Sequence, residues 1–203
     1  MKEKLDCTGI ILAGGKSIRL GYNKAFAMIN KQSLIERVID RLSSISRTIL
    51  IVTNQDQLNL IQVARLKGKT VVDLLPDGGP LAGIYTGLEY SNTYYNLVVA
   101  CDMPFLNTAL LRHLFDLAPN FDAVVPKIGN NIEPLHAMYS KNCISYIKPL
   151  LHTGILQTWQ LFNLVNTRYI TKYEIMKYDP LCMSFFNINT GGNLIVAKML
   201  SKQ

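Results

Sequence analysis

Short apolar runs recur along the first half of the chain, and each is followed by a stretch suited to a helix. The runs GIILA (9–13), TILIVTN (48–54) and NLVVACD (96–102) are continuous rather than alternating, as strands covered on both faces are, and KTVVD (69–73) reads as a further short strand between the last two. Between them, 33–45 places Leu34, Ile35, Val38, Ile39 and Leu42 on one helical stripe. Residues 56–66 suit a second helix, 79–91 opens with Pro80 near a first helical position, and a helical stretch near 107–117 follows the fourth run. Strands alternating with helices predict βαβ units and a mainly parallel sheet. Crossovers in such a sheet are right-handed, and ligands collect outside the carboxyl ends of its strands. The polar stretch 14–24, Asp73 and Asp102 each follow a strand, so they are predicted to converge on one crevice.

Beyond residue 120 the alternation loosens. FDAVVPKI (121–128), PLHAMYS (134–140) and TRYITKYEI (167–175) read as strands, 142–163 as mostly helix, and LIVAKMLSK (194–202) as a closing helix. No linker, repeat or low-complexity stretch divides the sequence. The expectation is one α/β domain, 1–203, with a Rossmann-like, mostly parallel sheet and helices on both faces.

The chain has 203 residues, 49% of them hydrophobic, enough for a sizeable core. Its 21 Lys and Arg against 14 Asp and Glu leave a formal charge of +7, which favours anionic partners. The basic residues are dispersed and not interleaved with aromatics, so no nucleic-acid face is expected. Cys7, Cys101, Cys143 and Cys182 form no C-x-x-C pair, and His113, His136 and His152 are scattered, which argues for reduced thiols and against a zinc site. Lys2 and Lys4 before an apolar run imitate a secretory signal, but Asp6 interrupts it and the run is short. No stretch approaches the ~20 apolar residues of a membrane span. A soluble, cytoplasmic protein without a membrane partner is expected.

The stretch GIILAGGKSIRLGYNK (9–24) matches neither common phosphate motif. The P-loop spacing is absent, since Lys24 precedes Ala25, and the adjacent Gly14 and Gly15 break G-x-G-x-x-G. Its chemistry still suits a polyphosphate. Glycines let backbone N–H groups close on an anion, Arg19 offers a bidentate fork, and Lys24 a point charge. A glycine-rich turn with solvated basic residues reads equally well from composition. Asp102 is either a turn residue or one of the one or two carboxylates that Mg²⁺ takes when it bridges phosphates. Asp73 is either a turn residue or an acceptor for the paired N–H donors of guanine. Asn187 and Asn189 are expected on one face of a strand. His136, between Leu135 and Ala137, reads as a packed, hydrogen-bonded histidine rather than a base, and Trp159 as core or pocket wall.

LAGGKSIRLGYNKA resembles the L-A-G-G-x-x-x-R-M-G-x-D/N-K signature of nucleotidyltransferases, and of the molybdenum cofactor guanylyltransferase (MobA) family in particular. GGPLAGI (78–84), CDMPF (101–105), EPLHAMY (133–139) and FFNINT (185–190) continue the likeness in the family's order, over nearly the whole chain. The resemblance implies the fold of nucleotide-diphospho-sugar transferases, with a nucleotide-binding N-terminal half and an acceptor-binding C-terminal half. It implies transfer of GMP from GTP to the terminal phosphate of a molybdopterin cofactor, with Mg²⁺ required and pyrophosphate released. By the same resemblance Leu12, Ala13, Gly14, Gly15, Lys24, Asp73 and Asp102 hold the nucleotide, and Asp102 ligates the metal. Arg19, Lys24 and Asp102 are the implied catalytic set, and Asn187 and Asn189 serve the acceptor. Cofactor-insertion proteins or molybdoenzyme chaperones are the implied recipients.

Two positions depart from the family pattern. There N-x-N-T usually continues with Pro-Glu-Asp, whereas here Gly191, Gly192 and Asn193 follow Thr190. The next helix is therefore expected to start less rigidly and without its acids. An asparagine that often follows the family's second strand is replaced by Val52, with Asn54 two residues on. A cytidylyl- or sugar-nucleotidyltransferase of the same fold, and a non-catalytic nucleotide-binding module, remain as alternative readings.

Overall fold

The computed structural model describes residues 3–14 and 24–201, so Gly15 and Arg19 lie outside the described residues. In chain order the strands are β1 (Leu5–Leu12), β2 (Met28–Ile29), β3 (Gln32–Ser33), β4 (Ser46–Thr53), β5 (Lys69–Val72), β6 (Tyr95–Ala100), β7 (Ala123–Ile128), β8 (Asn131–Ile132), β9 (His136–Ser140) and β10 (Thr167–Thr171). The helices are α1 (Leu34–Ser43), α2 (Gln55–Val63), α3 (Gly79–Tyr90), α4 (Thr108–Leu117), α5 (Cys143–His152), α6 (Lys172–Met176) and α7 (Gly191–Leu200).

Eight strands form one mixed sheet in the order β10-β7-β9-β6-β1-β4-β5, with β8 paired to β7. The β1/β4, β1/β6, β4/β5 and β7/β10 pairings are parallel, and β9 runs antiparallel between β6 and β7. Neighbouring side chains of a strand point to opposite faces, and Ile10 and Ile11 of β1 accordingly feed two separate cores. Ile11, Ile51 and Val99 pack with apolar residues of α1, α2, α4 and α6; Ile10, Leu50 and Val98 pack with those of α3, α5 and the helical turn at 158–163. Helices thus cover both faces, as expected, and the runs read as doubly buried are the central strands.

From β1 the chain builds β4 and β5 to one side, then returns to lay β6 on the other. A crevice opens where that order reverses. The antiparallel β9 brings its first residue, His136, opposite Val99 near the end of β6. A third, smaller core joins the β2–β3 hairpin to α7 through Ile29, Leu34, Ile188 and Leu194.

One sequence expectation is refined and two are corrected. The mostly helical stretch 142–163 is α5 and a 3₁₀ turn at 158–163, interrupted after His152 where Gly154, at φ +75°, closes a left-handed cap. The N–H groups of Gly154 and Ile155 donate to the carbonyls of Leu151 and Leu150, which is the Schellman arrangement. The strand read over 167–175 turns into α6 at Thr171, whose hydroxyl accepts from the Glu174 N–H while the Glu174 carboxylate accepts from the Thr171 N–H. Asn187 and Asn189 lie on no strand: a short 3₁₀ turn ends at Phe185, and 186–190 is irregular.

Candidate active site

A cavity of about 510 Å³ occupies the crevice. Its walls come from the ends of four parallel strands: Leu12 to Gly14 after β1, Val52 to Asn54 at β4, Asp73 after β5, and Ala100 to Asp102 after β6. Backbone bonds tie these ends together. The Ala13 N–H donates to Val52 O (2.8 Å), Cys101 N–H to Leu12 O (3.1 Å), and Asp73 N–H to Thr53 O (2.8 Å). The Ala13 N–H is therefore committed to the sheet. Gly14 has no room for a side chain, since a Cβ there would stand 2.2 Å from Asn54 Oδ1. On the far wall Asp77 and Gly79 take left-handed conformations (φ +68° and +65°) and turn the chain into α3. Its first turn, Gly79 and Pro80, lines the cavity, so the positive end of the helix dipole faces whatever binds there.

The charged centre is assembled from distant parts of the chain. The Lys24 ammonium, at the head of the 3₁₀ turn Lys24–Phe26, forms an ion pair with Asp102 Oδ2 and donates to Asn189 Oδ1 (2.6 Å). Both charged side chains are largely covered, at 15% and 18% exposure. The Ile188 N–H donates to the Asp102 carbonyl (3.1 Å), and the Ile188 side chain is fully buried, so Asn187 and Asn189 flank an anchored residue. The other oxygen of Asp102, Oδ1, is buried without a hydrogen-bond partner among the described residues, as is Asn187 Oδ1.

Residues 9–164 match the family described as the MobA-like NTP transferase domain. The chain belongs to this family. It is 33% identical over 98% of its length to a protein of Pelotomaculum thermopropionicum named "Probable molybdenum cofactor guanylyltransferase", of which the match covers 95%. It is 35% identical to the molybdenum cofactor guanylyltransferase of Desulfosudis oleivorans, over 96% of each chain. The crystal structure of molybdopterin-guanine dinucleotide biosynthesis protein A from Archaeoglobus fulgidus superposes with a TM-score of 0.85 at 28% identity, covering 97% of this chain and all of that one.

Within this MobA-like frame, the structure brings Leu12, Ala13, Gly14, Lys24, Asp73, Asp102 and Asn189 to one cavity. Asn187 does not line it, although Asn189 does. Asp73 serves in part as a turn residue, since its Oδ1 accepts from Thr86 Oγ1 (2.7 Å) and the Leu75 N–H (3.2 Å). Among the described residues no hydrogen bond reaches its second oxygen. Asn54 and Asp77 also line the cavity and were not singled out as site residues; only their positions after β4 and before α3 marked them in the sequence.

His136 is fully buried against the Phe185 ring, 4.8 Å between centroids, and burial pushes its pKa from 6.5 down to about 4. Neither ring nitrogen has a partner among the described residues, which corrects the expectation of a hydrogen-bonded histidine. The start of α7 corrects another. Thr190 and Asn193 close a capping box, with the Asn193 amide oxygen accepting from the N–H groups of Asn189 and Thr190. The helix start is held despite its glycines. The four cysteines are free, with burial raising Cys7 to about 11 and Cys101 and Cys143 to about 12. Among the described residues no helix is long and apolar enough to cross a membrane, and no three His, Cys, Asp or Glu side chains group to hold a metal ion.

Proposed function

We propose that the chain transfers GMP from GTP to the terminal phosphate of a molybdopterin cofactor, giving its guanine dinucleotide form. The observation that carries this reading is the meeting of Lys24, Asp102 and Asn189 at the switch point of a MobA-like sheet. An acceptor phosphate oxygen attacks the α-phosphorus in line. A new P–O bond forms, the bond from the α-phosphorus to the bridging β-oxygen breaks, and pyrophosphate leaves with that electron pair. A phosphate monoester is already anionic near neutral pH, so no general base is required, and the buried, neutral His136 has no role in the step. What the protein contributes is positioning and charge. Lys24 offsets charge on the reacting phosphates, and Arg19 grips the leaving pyrophosphate with its planar fork. Asp73 accepts from the guanine edge, while backbone groups at 12–15 and the α3 N-terminus cradle the phosphates.

The donor set fits Mg²⁺. Asp102 Oδ1 is a hard oxygen with no hydrogen-bond partner among the described residues, and Mg²⁺ needs only one or two protein oxygens beside water and phosphate. Asp102 would hold the ion, which would neutralise phosphate charge. In this reading the N-terminal half binds the nucleotide, and the C-terminal half, through Asn187 and Asn189, the acceptor. The protein works in the cytoplasm and passes its product to cofactor-insertion proteins or molybdoenzyme chaperones. Pyrophosphate release from each of the four nucleoside triphosphates, with molybdopterin present, tests the proposal. Release from GTP with Mg²⁺ is expected. Release from CTP alone would overturn the guanine assignment, and no release from any would overturn the activity.

A further inference from the structure

A second cavity, of about 500 Å³, adjoins the first. Its walls are the residues around β8, the Glu133–Pro134 turn, and the helical turn at 158–163. Leu135 lines the first cavity and Pro134 the second, so one short turn separates them. That turn is fixed. Glu133 N–H donates to Pro126 O (2.9 Å), His136 N–H to Glu133 O (3.2 Å), and Ala100 N–H to Leu135 O (3.1 Å), two residues before Asp102. Tyr139, fully buried, donates its hydroxyl to Pro134 O (2.8 Å) and stacks on Phe162, itself a wall of the second cavity (6.2 Å between centroids, 23° between planes). The space is therefore built on packed groups.

Two wall residues present side-chain groups to the cavity: the Trp159 ring and the Glu133 carboxylate. Trp159 leaves 50% of its surface exposed, an apolar face with no covering. Glu133 is half-buried, yet no hydrogen bond or ion pair reaches its carboxylate among the described residues, and desolvation raises its pKa. A half-buried acceptor without a donor is costly unless a ligand completes it. A lone carboxylate repels phosphate, so this is no second polyphosphate site.

We propose that the second cavity takes the pterin end of the acceptor, Trp159 stacking on the flat bicycle and Glu133 accepting from its pyrimidinone edge. That edge carries a ring N–H and an exocyclic amine side by side, a donor pair that one carboxylate can accept. A tryptophan face suits a flat heterocycle, and stacking of this kind contributes ~1–3 kcal/mol. The acceptor's phosphate then reaches back across the Pro134–Leu135 turn toward Asn189 and Asp102. This inference rests on the guanylyltransferase reading and adds where the ring is held.

Trp159 is the single tryptophan of the chain, so its fluorescence reports on this cavity alone. The test titrates 6-hydroxymethylpterin, and separately GTP with Mg²⁺, into the wild type, Trp159→Ala, Trp159→Phe and Glu133→Gln, by calorimetry and, where Trp159 is present, by quenching. Thermal melts check that each variant folds. The expected result is pterin binding that quenches Trp159, weakened about tenfold or more in Trp159→Ala and Glu133→Gln, and largely kept in Trp159→Phe. GTP affinity should stay within about twofold throughout, since neither residue touches the first cavity. Equal pterin affinity in all variants would overturn the assignment of the ring, as would a wild type that binds GTP but no pterin. A wild type that binds pterin but no GTP would instead overturn the guanylyl reading while leaving the ring site standing.

Discussion

Lys24 shares its ammonium between Asp102 and Asn189, so the Asp102 carboxylate is paired before any phosphate enters. The two charged groups should fail differently. Asp102→Asn keeps the size and the bond to Lys24 but removes the anion, and turnover should fall by about 10²-fold or more, with the deficit largest at limiting Mg²⁺. Steady-state rates against metal concentration check this; an unchanged rate at low Mg²⁺ would remove Asp102 as the ligand. Lys24→Ala removes charge that acts on the reacting phosphates, so kcat should fall with kcat/KM rather than KM alone rising. His136 gives a prediction of a different kind. Its folded pKa of about 4 lies below the ordinary 6.5, so between those values the unfolded chain binds the additional proton. The stability it contributes is complete above pH 6.5 and is lost as pH falls toward 4, on the order of 3 kcal/mol in all. Denaturant melts at pH 7 and pH 5 should show this loss in the wild type, and His136→Leu should flatten it. Parallel slopes in the two proteins would mean that another group carries the acid sensitivity.

The start of α7 shows how an element can keep its cap while losing its charges. Asn193 bonds the N–H groups of Asn189 and Thr190, so the cap that starts the helix also holds the residue that meets Lys24. Gly192 has open space beyond its Cα, its nearest neighbour being Thr190 Oγ1 at 3.7 Å. Gly192→Glu should therefore raise stability by roughly 0.5–1 kcal/mol, through helix propensity and the N-terminal dipole, and lift Tm by about 1–4 °C. A calorimetric melt with no gain would show that this first turn is limited by something other than its glycines. The same distinction explains what could be read in advance. β1, β4 and β6 were legible because both their faces are buried and their apolar runs are unbroken, the edge strand β5 as a short apolar run before Asp73, and α1 because its stripe is regular. Lys24, Asp73 and Asp102 were legible as residues that follow such strands. The end of α5 and the start of α6 turn on one residue each, Gly154 and Thr171, and a reading of apolar period alone passes over both. Asn187 and Asn189 alternate about a buried Ile188 without a strand, because the partner that orders them is the carbonyl of Asp102 rather than a ladder. The second cavity joins residues 130–134 to 158–162, and no local pattern announces that contact.

At the scale of the whole molecule, the reversal of strand order sets one cavity at the switch point, and the antiparallel β9 sets the other beside it. The formal charge of +7 favours nucleotides of every kind, so net charge cannot select the base. Selection must come from the walls, which include Val52, Asn54 and Asp73. A ligand that binds only the folded chain stabilises it by about 2.7 kcal/mol at a hundred times its Kd. For a chain of this size that corresponds to a rise in Tm of about 5–10 °C. Mg²⁺–GTP at such a concentration should produce this shift. CTP and ATP at the same concentration should produce a small fraction of it, because an acceptor covered by the bound base and left without its paired donors rejects analogues strongly. Comparing the melts with Asp73→Asn separates base reading from phosphate binding: the variant should lose the preference for GTP while keeping a common shift from the triphosphate. Equal shifts from CTP and GTP in the wild type would show that Asp73 is only a turn residue, bound to Thr86 and Leu75, and that the base is read elsewhere or not at all.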